Sequence, residues 1–418
     1  MNRNGVAAVA LTGLLAATSL ARAQEAPAEV VALANLAGAL EIGPPVKHDR
    51  LTVYPLKAPR TSSASPYESL DRAVKENKLR VREQGSGDVP RLRVKNLGKK
   101  RVFIMTGEIM TGAKQDRMAA QDVLVPPKKR NLDLKVYCVE AGRWVMKSGQ
   151  FAAGGTAATK KLRRSAAKKY GQGKIWDDVA EKSRESSVDS ATGTMQAVFR
   201  DRRVRQKLAA YEKALSDLPE RTENMIGFVA ITGGHLSTAD VFASPALLSD
   251  LWKKLLRAAA LDAITAPENG QSAATAADVA QFLQDGFSGR FNLITNPGEG
   301  KELLVDGENG VSGSTLVDGS SVVHLALFSP EKGAEPRELR TDIKPQRGKS
   351  YRVKGGAGIG KLKKARGSRE ANAKAPKAKA PRDGEAEEED FAGDEPMPEA
   401  APRKAVPRKA VPEKAKTQ

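Results

Sequence analysis

The chain has 418 residues, 69 Lys and Arg against 50 Asp and Glu, a formal net charge of +19, and one cysteine. A lone cysteine closes no internal disulfide, so the fold must be held by its core. Residues 351–418, with 17 basic and 11 acidic side chains, supply only +6 of the charge, so the basic excess belongs mainly to the rest of the chain; it suits phosphate-bearing ligands, anionic lipid, polyanionic envelope components or nucleic acid without choosing among them.

In chain order, Arg3, an apolar run over 5–20 and the small residues of Ala21-Arg22-Ala23 read as a signal peptide, 1–23, cleaved before Gln24. The mature chain is therefore expected outside the cytoplasm, periplasmic or extracellular. No later stretch approaches the roughly 20 apolar residues of a spanning helix. Residues 24–45 read as a linker and 46–345 as the globular part. Within it, strand-like pieces at 51–56, 78–83, 91–94, 101–105, 122–125 and 131–139 surround a short helix at 69–77. Alternating polarity and the turn signals "NLGKK" and "VPPKKRN" predict an antiparallel, sandwich-like sheet. Residues 107–117, "GEIMTGAKQDR", are expected as the polar loop leaving the 101–105 strand.

Beyond Trp144 the spacing turns helical, with Val204, Leu208, Tyr211 and Leu215 on one face. Strands are predicted at 226–231 and 240–242. Ser244-Pro245 then opens a helix that buries Leu248, Leu251, Trp252, Leu255 and Ala259. A helix at 276–285 and strands at 290–294, 302–305 and 322–328 complete an α+β architecture with a helical insert and packed helices. The stretch 346–418, with the near-repeat "RKAVPRKAVPEKA" and an acidic block at 385–390, has too few large apolar residues to offset its ordering entropy and reads as a disordered Lys/Pro/Ala-rich tail, either a solvated spacer or a basic arm.

In fixed order, "GEIMTGAKQDR", "VLVPP", "YCVEAGRW", "IWDDVA", "IGFVAITGGHLSTADVFASPALLSDLWKKLLRAAALDA" and "VVHLALF" give the chain a resemblance to the ARG and rhodanese-phosphatase-superfamily-associated protein domain over about 51–328. The family's association with ADP-ribosylglycohydrolases and phosphatase-type enzymes implies a link to ADP-ribose or nucleotide-derived metabolites. It names no reaction and no cofactor.

Candidate chemistry gathers in two of these segments. Glu108 and Glu140 each lie at the end of a predicted strand, where a carboxylate can serve as base, metal ligand or hydroxyl acceptor; surface ion pairs with Lys114 or Arg143 would explain them equally. Lys114, Gln115 and Arg117 are donors suited to an anion or amide, and Arg143-Trp144 sets a guanidinium beside an aromatic plate. Cys138 is a possible nucleophile, yet it shares a strand face with Leu132, Leu134 and Val136, the pattern of an inert core thiol. Both carboxylates and the donors are expected to converge on one site.

His48, His235 and His324 lie outside metal-ligand spacing, so no metal site is expected. Between 141 and 176 there are nine Lys/Arg and no acid, read as a solvated helix face or a phosphate contact. The Trp176-Asp177-Asp178 cluster reads as a helix start. Phosphate-loop, nucleophile-elbow and zinc-protease patterns are absent, and specific nucleic-acid binding is not expected. Two functions remain: an exported domain that binds, and in one version hydrolyses, a small anionic ligand, or a non-catalytic basic envelope protein that holds polyanions or a partner.

Overall fold

The computed structural model describes residues 26–58, 65–84, 90–267, 274–331 and 338–353; the expected signal peptide, and the tail beyond 353, lie outside them. The described chain is α+β, and its strands divide among three sheets. Leu79–Glu83 and Arg91–Asn96 alternate apolar and charged residues, which fits a sheet with one dry face. With Leu132–Cys138, Arg117–Ala119, Glu108–Gly112 and Phe151–Ala157 they close into a barrel whose interior holds Val81, Leu92, Val94, Met110, Leu134 and Val136. Closure removes the free edges that an open sandwich-like sheet would keep. Beside it, Val123–Val125, Arg101–Ile104 and Tyr67–Ser69 form a three-stranded sheet whose last pairing is parallel.

The third sheet is ten-stranded and wholly antiparallel, running from Glu41–Ile42 through Leu51–Lys57, Met225–Thr232, His235–Phe242, Ser321–Phe328, Ser312–Asp318, Lys301–Asp306 and Arg290–Ile294 to Pro345–Arg352, with Val46–His48 also paired to Leu51–Lys57. Both of its faces are covered. Phe228 and Ala230 join the core beneath the long helix Pro245–Thr265, while Val229 and Ile231 join a second core with Leu33 of the helix Ala28–Ala39 and Phe282 of the helix Ala276–Phe287. Ser244 caps Pro245–Thr265, and Leu248, Leu251, Trp252, Leu255 and Ala259 are buried as the spacing predicts; so are Val204, Leu208, Tyr211 and Leu215 on Arg202–Leu215.

Three expectations change. The stretch 24–45 is no linker: Ala28–Ala39 is a helix with Leu33 and nearby Leu40 fully buried, because its apolar side chains cover a sheet face that would otherwise meet water. The tail cannot begin at 346, since Pro345–Arg352 pairs with Arg290–Ile294. The segment 107–117 is not a loop but a β-hairpin, Ile109 facing Met118 and Met110 facing Arg117.

The cationic run 141–176 also takes another form. Apart from the strand Phe151–Ala157, its basic residues largely turn inward on the helices Lys160–Ala167 and Gln172–Glu185, where Arg163 meets Asp240, Arg164 meets Glu331, Lys161 meets Glu181, Lys174 meets Asp178 and Lys169 meets Glu302. Except for Asp178, one helical turn from Lys174, these carboxylates lie well along the chain from the charges they neutralise.

Candidate functional site

The hairpin turns at Gly112, whose φ of +123° suits glycine. The turn delivers Gln115, Asp116 and Arg117 against the end of Leu132–Cys138 and the segment after it. Gln115 Nε2 donates to the Glu140 carbonyl at 2.8 Å and its Oε1 accepts from Arg117 at 2.9 Å and from the Cys138 thiol at 3.1 Å. The Asp116 amide donates to the Glu140 carboxylate at 3.0 Å. Arg143 donates to that carboxylate at 2.6 Å and to the carbonyls of Ala113 and Val145 at 2.7 and 3.0 Å. Lys114 lies over the Trp144 ring, 5.1 Å from its centroid. Seven of the eight residues singled out from sequence thus meet in one knot.

Glu108 is the exception. It starts the strand whose far end carries Gly112, about 13 Å away at the usual rise per residue. Its carboxylate accepts from Lys254 at 2.5 Å and from the Met105 amide at 2.7 Å, and Lys254 also pairs with Asp71 at 2.7 Å. None of these groups bonds to Glu140. Burial raises the Glu108 pKa, and the Lys254 charge offsets only part of that. The site therefore has one carboxylate from the expected pair.

The chemistry of the knot follows from burial and pairing. Burial pushes the Cys138 thiol up to about 11, and neighbouring Arg117 recovers only part of the shift, so the sulfur is a protonated core group at neutral pH. Burial alone would raise Glu140; hydrogen bonds from Arg143, Thr192 and the Asp116 amide outweigh it and hold the carboxyl below its usual range. Such groups brace backbone. Thr192 donates to Glu140 at 2.8 Å and Thr194 to Asp116 at 2.9 Å, fixing the segment 186–194 that follows the helix Gln172–Glu185.

Between that segment and that helix runs a groove of about 590 Å³. Trp176 and Arg184, eight residues and so about two turns apart, line it together with Ser183, Ser187 and Ser190, and Ala141 of the braced strand end closes one wall. Trp176 is 40 % exposed. Sequence reading singled out Trp176 only as part of a helix start and missed Arg184, because nothing local shows that helix and loop stand apart.

A second polar cluster, also missed, is entirely buried. His324 sits between two carboxylates, Asp122 at 2.6 Å from Nδ1 and Asp240 at 3.1 Å from Nε2, and Arg163 donates to Asp240 at 3.0 Å. Gly107 (φ +91°) leaves the room Arg163 occupies, since a Cβ there would lie 2.5 Å from its Cγ. Burial alone would lower the His324 pKa; the Asp122 and Asp240 carboxylates outweigh it and raise it to about 9, so the ring is an imidazolium. Close by, burial raises Glu302 to about 7 beside Lys169. A histidine inside the apolar run "VVHLALF" and an aspartate in "TADVF" were the available signals.

Among the described residues no group of three or more His, Cys, Asp or Glu is placed to hold a metal ion, and no helix is long and apolar enough to cross a membrane. No curated protein and no solved structure matches the chain at a significant level. The model of one family does match, over residues 39–328 and so across most of the sequence, and the chain belongs to that family, the ARG and Rhodanese-Phosphatase-superfamily-associated Protein domain.

Proposed function

We propose that this is an exported domain that binds a small anionic ligand of the nucleotide or ADP-ribose type in the groove between Gln172–Glu185 and residues 186–194. The observation that carries the reading is the groove itself: about 590 Å³, within the range of small-molecule sites, with the indole of Trp176, the guanidinium of Arg184 and the Ser183 hydroxyl on the helix wall and the Ser187 and Ser190 hydroxyls beside the Asp189 carboxylate on the other. The indole suits a base or sugar face, the guanidinium a phosphate, and the hydroxyls a ribose. Glu140, Asp116 and Arg143 act as positioning residues that hold the loop wall. Binding is favoured over hydrolysis because Cys138, Glu140 and Glu108 are each committed to an internal partner and none is left as a free nucleophile or base. The family's association with ADP-ribose chemistry supports the ligand class.

Thermal unfolding of the purified protein with ADP-ribose, AMP or inorganic phosphate tests this. A ligand at a hundred times its Kd should stabilise by about 2.7 kcal/mol. The gain should vanish in Trp176→Ala and Arg184→Ala, whose side chains are exposed and whose loss leaves the fold intact. Absence of any stabilisation, or its survival in both variants, refutes the reading. Export rests on Arg3, the 5–20 apolar run and Ala21-Arg22-Ala23. Intact-mass measurement on envelope and medium fractions should find a chain beginning at Gln24, and a full-length cytoplasmic product would refute it.

A further inference from the structure

Three consecutive large apolar side chains stand in solvent at the edge of the knot: Trp144 is 50 % exposed, Val145 72 % and Met146 54 %. Elsewhere among the described residues, exposed large apolar groups occur singly, which is ordinary for a protein surface. A run of three is not, and it is held out rather than collapsed. The Arg143 guanidinium bonds the Val145, Ala113 and Gly112 carbonyls, the Lys147 amide donates to the Ala113 carbonyl at 2.8 Å, and the Ala113 amide donates to Ser148 Oγ at 3.0 Å. The tip is therefore clamped to the hairpin turn on both of its sides.

Among the described residues the surface charge around the tip is mainly basic. The local carboxylates point inward, Glu83 toward Arg117 and both Asp116 and Glu140 toward Arg143. Lys147 is exposed beside the tip, and half-buried Lys114 lies over the Trp144 ring. The strand whose Glu83 end meets the Lys114 amide continues the basic surface outside the barrel, where Arg82 faces Arg93 and Arg80 faces Lys95 across neighbouring strands. All four are exposed, and none forms an ion pair with a carboxylate among the described residues. Like charges directly opposite one another weaken a sheet. Arg93 is also directly opposite Asp133 on its other neighbouring strand, which relieves part of this repulsion; the like-charge contact that is left is relieved by an anionic surface.

We infer that the 144–146 tip inserts into the headgroup region of an anionic bilayer, with Lys147 and Arg82 on the lipid phosphates. A protein partner would need about 800 Å² of matching surface on this side, whereas three side chains on a convex loop fit a fluid interface that closes around them. Tryptophan at the tip suits the membrane–water boundary, where its ring is apolar and its N–H stays wet, and nearby Lys147 reaches back to the headgroups. The inference is independent of the ligand groove, because Trp176 and Arg184 take no part in it.

Fluorescence of the full chain mixed with vesicles of phosphatidylcholine and phosphatidylglycerol (7:3) bearing brominated acyl chains provides the test. Quenching of the Trp144 component is expected in the wild type and should be absent from Trp144→Phe, while Trp176 and Trp252 stay unquenched in both. Vesicle affinity should fall about tenfold or more when Trp144, Val145 and Met146 are all replaced by Ser, and should be weak on phosphatidylcholine alone. Circular dichroism establishes that the triple variant is folded, as expected for substitutions at exposed positions. Vesicle binding without quenching of Trp144, no vesicle binding at all, or undiminished binding by the folded triple variant would each overturn the inference.

Discussion

Cys138 and His324 are both buried titratable groups, and the same physics acts on them with opposite results. Cys138 has one cationic neighbour and a dry site, so burial wins and the thiol is pushed up to about 11. Ellman's reagent at pH 8 should leave the native thiol unreacted and titrate it only in denaturant; fast reaction of the folded protein would contradict the buried site. His324 is buried just as deeply, yet carboxylates on both ring nitrogens overcome the cost of its charge and raise it to about 9. A histidine whose folded pKa lies above the unfolded value near 6.5 contributes stability in full below pH 6.5 and loses it as pH rises through 9. The loss is on the order of 3 kcal/mol, several degrees of melting temperature, measurable by calorimetry from pH 6.5 to 9. His324→Gln should flatten that slope while lowering stability at pH 6 by about 3 kcal/mol, since two buried carboxylates lose their counter-charge.

At the scale of elements, the helix Ala28–Ala39 and the hairpin of residues 107–117 were both misread from sequence, for related reasons. The helix has small residues at many positions and a weak apolar stripe, so its periodicity is faint; the ten-stranded sheet makes it a helix by offering a face to cover. Leu33→Ala should therefore cost about 3 kcal/mol in denaturant unfolding, the price of a cavity in a closed core. A linker residue would change nothing measurable. The hairpin carries Glu, Gly, Lys, Gln, Asp and Arg because its charged groups face partners in and just after Leu132–Cys138 and in Pro245–Thr265, pairs separated by 21 to 146 positions along the chain. By contrast, Arg202–Leu215, Pro245–Thr265 and most strands were legible, since their apolar spacing matched the helical or strand repeat without outside help.

For the molecule as a whole, composition places the limit of the fold near the last paired strand. Beyond 353 the sequence offers almost no large apolar side chain to add to a core, whereas Tyr351 packs beside the second core. A chain ending at Val353 should melt within error of the full chain. One ending at Lys344 should melt several degrees lower, because it strips Pro345–Arg352 from Arg290–Ile294 and exposes that edge. Equal melting of both would mean the edge strand contributes nothing.

Sequence alone determined the α+β class, the positions of most strands and long helices, the core faces of those helices, and the family, because each depends on local periodicity or on motifs in order. Seven of the eight candidate residues do meet, but because 107–117 is a hairpin of the barrel paired to Leu132–Cys138 and not because both segments leave strands of one sheet, since Arg101–Ile104 belongs to the three-stranded sheet. Tertiary structure decided what those residues do. It sent Glu108 to Lys254, enclosed Cys138, turned Arg163, Arg164 and Lys169 of 141–176 onto distant carboxylates, and opened the groove beside Trp176 and Arg184. Those outcomes depend on which charges meet across the fold and how much water is excluded there, and neither quantity is encoded in the spacing of residues along a single strand or helix.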